Sequence, residues 1–193
     1  AGDGNNLVLG GGGSDEISTG TGHDLILGDN GEMHFAVDGT ILRVKSRLDF
    51  GGDDSITAGD GANVVLAGFG ADRVTSGAGD DVLFGDNGQI EYTAGVVAVI
   101  RSLDVAATTG GDDVVDAGEG DNIVLGGTGA DALAAGSGRD VLFGDNGQVT
   151  LVSGVVTEVT SLDESSLTTG DDAIVAGDGN NLVLGGGGSD EIS

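Results

Sequence analysis

The chain contains no cysteine, proline or tryptophan, and aromatic residues make up only 3% of its 193 residues. The lack of cysteine excludes disulfides and thiolate metal sites. With few aromatic side chains and 41 glycines, a large three-dimensional hydrophobic core is not expected. A repeat protein with thin packing layers is the expected solution for such a composition. No signal peptide and no apolar run of membrane length is present in this sequence.

Basic residues are also scarce, since 6 lysines and arginines face 33 aspartates and glutamates, for a formal net charge of -27. Such a charge repels phosphate backbones and anionic membrane surfaces. We therefore predict no nucleic-acid partner and no membrane insertion. His23 and His34 are the only histidines, so transition metals are poor candidates for a bound ion.

Most of the chain is built from nine-residue units, here called nonads. Residues 58–84 read AGDGANVVL, AGFGADRVT and SGAGDDVLF, with glycine at places two and four, Asp or Asn at place six and an aliphatic residue at place eight. We count 14 nonads, and place four is glycine in all of them. This indicates a backbone angle or a close approach that a side chain would block.

The eighth place is always aliphatic, and one such residue in a short strand indicates a strand that is buried on one face. A helix is rejected because each nonad is half glycine-rich turn. Two nonads would close one coil, which predicts a parallel β-solenoid of two facing sheets with the eighth-place residues inside. These residues are Val8, Ile17, Ile26, Ile56, Val65, Val74, Leu83, Val115, Val124, Leu133, Leu142, Ile174, Val183 and Ile192.

A longer period is superimposed on the nonads. The motif GDNG begins at Gly28, Gly85 and Gly144, and residues 1–18 are identical to residues 176–193, a period of 175. We interpret 1–193 as a single continuous solenoid cut from a longer array. Its predicted sub-repeats are 1–57, 58–116 and 117–175, with 176–193 as the start of a fourth, and the insertions cover about 28–48, 85–107 and 144–166.

Each insertion is predicted to form a β-hairpin. Asp38-Gly39 is a strong two-residue turn signal, and pairing across it puts Glu32 opposite Lys45. The packed face would carry Met33, Phe35, Val37, Leu42 and Val44, and in the second copy Ile90 and Tyr92 would face Val97 and Val99. The alternative is a third coil made of two degenerate nonads. Asp29, Asp86 and Asp145 of the GDNG motifs either cap a turn or bind a terminal calcium ion.

The sixth place is the candidate metal site. Alternate nonads share an edge, so Asp54 stacks on Asp72 and Asn63 on Asp81 at about 4.8 Å, where two carboxylates repel by about 1 to 3 kcal/mol. A cation between turns would relieve this repulsion, and oxygen-only, flexible sites favour Ca²⁺ over Mg²⁺. The alternative is a solvated acidic edge without metal. The candidate ligands are Asp15, Asp24, Asp54, Asp72, Asp81, Asp113, Asp131, Asp140, Asp172 and Asp190, with Asn6, Asn63, Asn122 and Asn181.

Three stretches, GFGADRVT, GAGDDVLF and GTGADALA, resemble the GGxGxDxUx nonapeptide of the RTX (repeats-in-toxin) family. The resemblance covers the 14 nonads and implies an all-β, right-handed parallel β-roll that binds several calcium ions, interrupted about every 58 residues by a hairpin-like insertion. In the family, sixth-place aspartates of successive turns on one edge share an ion with turn carbonyls. The four asparagines depart from this pattern, although an amide oxygen can still act as a ligand. The fifth-place acids Asp53, Asp80, Asp112 and Asp171 are expected to face solvent.

One outer face of the solenoid is apolar. Either the hairpins fold over this stripe or a second copy of the chain covers it, because a patch of this length is not left in water. The second alternative predicts lateral self-association. The stripe comprises Leu7, Leu9, Leu25, Leu27, Val64, Leu66, Val82, Phe84, Ile123, Leu125, Val141 and Phe143.

The leading functional hypothesis is a calcium-dependent structural segment of a giant extracellular or cell-surface protein, either an adhesin shaft or a self-associating fibre. The RTX resemblance implies type I secretion. The alternative is the C-terminal β-roll module of a secreted protease, lipase or polysaccharide-modifying enzyme. We expect no catalysis by the segment itself, because neither HExxH nor GxSxG occurs in it.

Overall fold

The computed structural model of the chain describes residues 1–105, 109–163 and 169–193. Within these ranges the protein is all-β and contains no helix, so none of the described residues form a helix suited to crossing a bilayer. The strands are β1 (Leu7–Leu9), β2 (Glu16–Ser18), β3 (Leu25–Leu27), β4 (Gly31–Phe35), β5 (Ile41–Ser46), β6 (Ser55–Thr57), β7 (Val64–Leu66), β8 (Arg73–Thr75), β9 (Val82–Phe84), β10 (Gly88–Thr93), β11 (Val96–Ser102), β12 (Val114–Asp116), β13 (Ile123–Leu125), β14 (Ala132–Ala134), β15 (Ser137–Gly138), β16 (Val141–Phe143), β17 (Gly147–Val152), β18 (Val155–Ser161), β19 (Ala173–Val175), β20 (Asp178–Gly179), β21 (Leu182–Leu184) and β22 (Glu191–Ile192).

The nonads form two parallel seven-stranded sheets. The first sheet has the order β1-β3-β7-β9-β13-β16-β21, and the second has the order β2-β6-β8-β12-β14-β19-β22. Neighbouring strands pair in register, so that Val65 lies beside Ile26 on one side and beside Leu83 on the other. Successive nonads thus alternate between the sheets, and two nonads make one coil. The parallel β-roll expected from the sequence is confirmed.

The eighth-place side chains meet between the two sheets, as expected. From Ile17 to Ile174 they are all buried, and Val8 and Val183 near the two ends are partly buried. The prediction is wrong for Ile192, which is 50% exposed because no further coil packs against the last strand. Alanines at the first place, such as Ala58 and Ala117, complete this core. A core one side chain thick accommodates only small residues at the corners where the turns begin, and this explains the alanines.

The fourth-place glycines meet both requirements inferred from the sequence. Gly61 and Gly70 have φ angles of 124° and 102°, in the left-handed region that L side chains rarely adopt. Gly111 lies outside that region, but a Cβ atom there would lie 2.6 Å from the carbonyl oxygen of Gly70 in the adjacent turn. Inside the roll the turns therefore stack too closely for any other residue at this place, whereas Gly4 and Gly13 in the first two nonads have open space beside them and meet only the φ requirement.

The insertions are β-hairpins, which excludes the alternative of a third coil for the described residues. Together they form one antiparallel sheet of order β18-β17-β11-β10-β5-β4, here called the hairpin sheet. The last strand of one hairpin pairs with the first strand of the next, β5 with β10 and β11 with β17. The hairpin sheet thus runs alongside the roll and links the three sub-repeats.

The first hairpin differs in part from the predicted register. Glu32 pairs with Lys45 and Met33 with Val44, as expected. A bulge between His34 and Phe35 then places Phe35 opposite Ile41. The prediction that Val37, Phe35 and Leu42 lie on the packed face is wrong, because all three side chains are exposed and Ile41 packs instead.

A bulge at the equivalent position changes the second hairpin. Tyr92 pairs with Val97 as predicted, but Ile90 pairs with Ile100, and Val99 pairs with Glu91. The expected pairing of Ile90 with Val99 was therefore one residue out of register. A bulge inserts one extra residue in one strand, and no simple alternation of apolar residues in the sequence reveals it.

The hairpin sheet covers the apolar stripe on the outer face of the first sheet. Leu27, Leu66, Phe84, Leu125 and Phe143 are each at most 1% exposed. They pack under hairpin residues in a second hydrophobic core that includes Val44, Ile90, Ile100 and Val149. The molecule therefore has three layers, and the first of the two alternatives for the stripe is confirmed.

Lateral self-association through this stripe is consequently wrong for its members from Leu25 to Phe143. These residues are buried by the same chain, apart from Val64, which is partly buried against the same core. Only Leu7 and Leu9, in the edge strand β1, stay exposed, at 52% and 48%. The exposed apolar surface of the first sheet is thus confined to the ends of the roll.

The hairpins interrupt turns that are otherwise regular. Gly28 N–H donates to the Leu66 carbonyl, and Gly11 N–H donates to the Gly28 carbonyl, so Gly28 and Asp29 occupy places one and two of a stacked turn. Gly51 and Gly52 resume that turn after the hairpin. The GDNG motif is therefore the start of a nonad that continues about twenty residues later, which the sequence did not reveal.

Replacing Phe84 by alanine tests the second core. The ring is buried between the first sheet and the hairpin sheet, so Phe84→Ala should lower the free energy of unfolding by about 3 to 5 kcal/mol. Urea unfolding at saturating calcium measures this value. Phe35→Ala, at an exposed position, is the matched control and should cost less than about 1 kcal/mol. Equal costs for the two variants would contradict the three-layer packing.

Candidate metal site

The sixth-place side chains form two ladders, one along each edge of the roll. The backbone hydrogen bonds that link successive rungs define which residues belong to each. The aspartate ladder consists of Asp15, Asp54, Asp72, Asp113, Asp131, Asp172 and Asp190. The mixed ladder alternates between the two residue types and consists of Asn6, Asp24, Asn63, Asp81, Asn122, Asp140 and Asn181.

Each sixth-place side chain is one rung of its ladder, and it accepts a hydrogen bond from the backbone N–H of a neighbouring rung. Asp54 N–H donates to Asp72 Oδ1 at 2.6 Å, and Asp113 N–H donates to Asp131 Oδ1 at 2.8 Å. On the other edge, Asn63 N–H donates to Asp81 Oδ1 at 2.7 Å. The stacking of Asp54 on Asp72 and of Asn63 on Asp81 is thus observed. One oxygen of each of these carboxylates is fixed by a backbone donor.

The second carboxylate oxygen has no donor in most rungs. Buried Oδ2 atoms without a hydrogen-bond partner occur at Asp15, Asp54, Asp72, Asp113, Asp131 and Asp172 of the aspartate ladder, and at Asp24 and Asp140 of the mixed ladder. A buried, ionised acceptor without a partner is costly. A row of such atoms along one edge is the arrangement expected of a cation-binding edge.

First-place glycines form a cradle next to these oxygens. A Cβ atom at Gly85 would collide with Asp113 Oδ2 and would lie 2.7 Å from the Gly126 carbonyl oxygen. At Gly126, a Cβ atom would collide with Asp131 Oδ2 and with the Gly144 carbonyl oxygen. Carboxylate and carbonyl oxygens therefore converge on space that only glycine leaves open. Such an oxygen-only donor set fits Ca²⁺.

Side chains alone do not complete the site. Within the part of the chain that the structure describes, no three acidic or histidine side chains come close enough to hold a metal ion together. The other protein oxygens that lie next to these carboxylates are backbone carbonyls of the glycine-rich turns, such as those of Gly126 and Gly144. This agrees with a flexible coordination shell of the kind that calcium accepts.

Burial and mutual repulsion disfavour charge on the aspartate ladder when no cation is present. Burial raises the pKa of Asp72 to about 8, and the carboxylate of Asp54 adds to the effect. Burial likewise raises the pKa of Asp131 to about 8, with Asp172 contributing. The pKa of Asp113 is raised well above its usual value by burial and by its carboxylate neighbours. Without a cation, burial therefore favours the protonated forms of Asp72, Asp113 and Asp131 in the folded chain.

The four asparagines of the mixed ladder make contacts that an aspartate could not make. Asn63 Nδ2 donates to the carbonyl oxygens of Gly59 and Gly61 at 2.9 and 3.0 Å. Next to it, Ser76 Oγ donates to Asp81 Oδ2, and burial still raises the pKa of Asp81 to about 6. The mixed ladder thus satisfies part of its hydrogen bonding within the protein.

The aspartates of the GDNG motifs cap turns. Asp29 accepts the N–H of Phe69 at 2.6 Å and that of Gly52 at 3.2 Å. Asp145 accepts the equivalent N–H groups of Gly187 and Gly170 at 2.6 and 3.1 Å. In the second copy, Asp86 Oδ2 accepts both the N–H and the hydroxyl of Thr128, but Asp86 Oδ1 is buried without a hydrogen-bond partner. Asp29 and Asp145 thus cap turns with both carboxylate oxygens, and Asp86 does so with one.

A buried carboxylate at the hairpin base was missed from the sequence. Asp104 is fully buried and accepts hydrogen bonds from Asn87 Nδ2 at 2.8 Å and Thr109 Oγ1 at 2.6 Å. The sequence feature that could have revealed Asp104 is a Leu-Asp pair that follows each hairpin. In the first copy an additional residue precedes this pair, and Asp49 instead forms an ion pair with Arg47 at 3.0 Å.

The fifth-place acids face solvent, as expected. Asp53, Asp80, Asp112 and Asp171 are all exposed. Each also accepts a backbone N–H from the next turn on its edge, for example Asp80 from Asp121 at 2.9 Å. They brace the stack from outside and do not point into the cradle.

The chain forms a parallel β-roll, and comparison with known families agrees with this fold. The family of the RTX calcium-binding nonapeptide repeat (four copies) matches well over half of the chain, which therefore belongs to this family. Repeats of this family bind calcium and are typical of secreted proteins, which implies an extracellular location. No curated protein matches the chain. The matched residues are 1–32, 51–74, 57–89, 104–133, 125–148 and 167–193.

The raised pKa values predict an unusual pH dependence for the calcium-free chain. A carboxyl group whose pKa is higher in the folded state stabilises the fold below its unfolded pKa, and this contribution is lost as the pH rises through the folded value. The pKa of Asp54 is about 6, and the pKa values of Asp72 and Asp131 are about 8. The stabilising contribution of these carboxyl groups is therefore lost between about pH 4 and about pH 8.

Circular dichroism in EGTA measures this effect. The β-sheet signal should strengthen on acidification from about pH 8 to about pH 5 and weaken again on return. A signal that weakens on acidification would contradict the burial of the aspartate ladder.

Proposed function

We propose that the chain is a calcium-rigidified structural segment of a secreted repeat protein, serving as the shaft of an adhesin or the body of a cell-surface fibre and not as an enzyme. The observation that carries the proposal is the row of buried Oδ2 atoms without donors along the aspartate ladder. A segment built around such a row would become rigid when calcium binds, and this rigidity is its proposed function.

The residues that would hold the ions are the sixth-place aspartates together with carbonyl oxygens of the glycine-rich turns. Calcium, when bound, supplies the positive charge that the buried carboxylates lack. The chain itself positions those carboxylates, because each Oδ1 is fixed by the N–H of the rung before it. The strands are only three residues long, so each coil depends on the ladder as well as on its core.

The same chemistry suits export of an unfolded chain. At low calcium, carboxylates stacked at about 4.8 Å repel one another, and a formal charge of -27 keeps the chain extended. Outside the cell, calcium at millimolar concentration would drive folding. The route that this supports is type I secretion, in which the chain crosses the envelope before it folds.

The edges of the roll favour a shaft. β1 and β21 are the two edge strands of the first sheet and carry the same sequence, Leu-Val-Leu. The hairpin sheet likewise ends in β4 on one side and in β18 on the other. A further unit that followed residues 176–193 would find its first two nonads already in place. Its first hairpin could then extend the hairpin sheet by pairing with β18.

A secreted enzyme that carries a β-roll module would use the same ladder, so the full-length gene separates the two alternatives. Further 175-residue units would favour the shaft, and a catalytic domain would favour the enzyme module.

Calcium dependence is tested by far-ultraviolet circular dichroism at neutral pH. The β-sheet signal should appear when calcium is added and disappear with excess EDTA, because only a cation offsets the repulsion in the aspartate ladder. Magnesium at the same concentration is the control and should restore much less signal. A chain that is fully folded in EDTA would contradict the proposal.

The shaft is tested by lengthening the chain. A second copy of residues 19–193 appended after Ser193 should extend one continuous roll by about 30 Å, at about 4.8 Å per coil. Small-angle scattering in calcium measures the maximum dimension. Two units joined flexibly, with no defined increase in length, would contradict a rigid shaft.

A further inference from the structure

The asparagines of the mixed ladder occupy the same positions as aspartates but present a different atom to the turn. Asn63 Oδ1 accepts the N–H of Asp24 at 3.0 Å, as the Oδ1 atoms of the aspartates do. Its Nδ2 therefore stands where an aspartate has Oδ2. The hydrogen bonds to Gly59 and Gly61 fix this orientation, since a flipped amide would set its oxygen against two carbonyl oxygens.

A similar arrangement is found at all four asparagines, although at Asn181 the acceptors are the carbonyls of places one and two and not those of places two and four. In each case Nδ2 donates to two carbonyl oxygens of its own glycine-rich turn. Besides Asn63, the contacts are Asn6 to Gly2 and Gly4 at 2.8 and 2.7 Å, Asn122 to Gly118 and Gly120 at 3.4 and 3.2 Å, and Asn181 to Ala176 and Gly177 at 2.7 and 3.4 Å.

An aspartate turn has the opposite chemistry. Asp131 carries glycines at the same two places, Gly127 and Gly129, but its Oδ2 atom is buried and has no partner. A carboxylate oxygen facing carbonyl oxygens is a set of acceptors without a donor, which only a proton or a cation can join. An amide group brings two N–H donors to the same place without any charge.

We propose that the amide groups of Asn6, Asn63, Asn122 and Asn181 substitute for calcium in their turns, so that these turns close without an ion. This inference rests on the proposed calcium-dependent function and refines the expectation that the asparagines act as ligands. Calcium then binds chiefly along the aspartate ladder. The mixed ladder is the edge that holds its shape at low calcium.

The charges of the two edges agree with this division. Every rung of the aspartate ladder is a carboxylate, so each one has carboxylate neighbours on the same edge. On the mixed ladder, Asp24, Asp81 and Asp140 are each separated from the next carboxylate by a neutral asparagine. Repulsion between rungs is therefore weaker on this edge, and fewer ions are needed to offset it.

Exchanging the two residue types at matched buried positions tests the inference. Asn63 and Asp131 are both almost fully buried, at 1% and 2% exposure. The number of ions per folded chain is measured by equilibrium dialysis with elemental analysis. Unfolding is followed by circular dichroism in calcium at neutral pH and in EGTA at about pH 5, where the calcium-free chain is expected to regain its β-sheet. The variants are Asn63→Asp and Asp131→Asn, with Asn63→Ala and Asn6→Ala removing the amide without adding charge.

Asn63→Asp should bind about one additional calcium ion and be less stable than the unaltered chain in EGTA. Asp131→Asn should bind about one ion fewer and be more stable in EGTA, because an amide closes its turn. Asn63→Ala and Asn6→Ala should keep the ion count and lose stability. Asn6 is itself half-buried and follows an exposed end turn, so its variant remains informative if Asn63→Ala fails to fold.

The possible failures are distinguishable. Loss of an ion in Asn6→Ala or in folded Asn63→Ala would show that the asparagines are ligands and would overturn the inference, while leaving the calcium-dependent function intact. An unchanged ion count in Asn63→Asp would overturn it as well. An unaltered chain that folds without binding any calcium would instead contradict the proposed function itself.

Discussion

The constraint on which the structure depends is that a carboxylate buried among oxygen atoms needs a positive partner. The stacking of nonads brings sixth-place aspartates together at the strand spacing of about 4.8 Å, and burial leaves one oxygen of most rungs without a donor. The glycines that let the turns stack so closely also open the space beside those oxygens. Close stacking and the requirement for a cation therefore have the same origin. Strands of three residues, each with one side chain in the core between the two parallel sheets, add little independent stability to any single coil.

The parts of the molecule that follow the nine-residue period could be predicted from the sequence. Examples are the eighth-place core, the stacking of Asp54 on Asp72 and the solvent-facing fifth-place acids. Each of these features depends only on the place of a residue within its nonad. Features that depend on contacts between distant segments could not be predicted. The completion of the Gly28-Asp29 turn by Gly51 and Gly52, the bulge at His34 and the buried Asp104 all arise where a hairpin meets the roll, and no period describes that junction.

The hairpin sheet explains why the roll has two different outer faces. Its residues Ile90, Ile100 and Val149 cover the apolar side of the first sheet, whereas the outer side of the second sheet carries exposed residues such as Glu16, Arg73 and Asp116. The sequence left open whether the chain itself or another copy covered the stripe. Local patterns specify that a face is apolar but not what lies against it, since that depends on the direction in which an insertion folds.

The antiparallel hairpin sheet has a mechanical meaning. Its strands follow one another along the roll in the same order as those of the first sheet, so its interstrand hydrogen bonds run in the direction of the long axis. The hairpin sheet is continuous where β5 pairs with β10 and where β11 pairs with β17. A force that stretched the roll along its axis would have to break hydrogen bonds in all three sheets to separate two sub-repeats. The insertions thus connect neighbouring sub-repeats by interstrand hydrogen bonds across their boundaries. They lie on one flank only, so the rod should resist bending unequally in opposite directions.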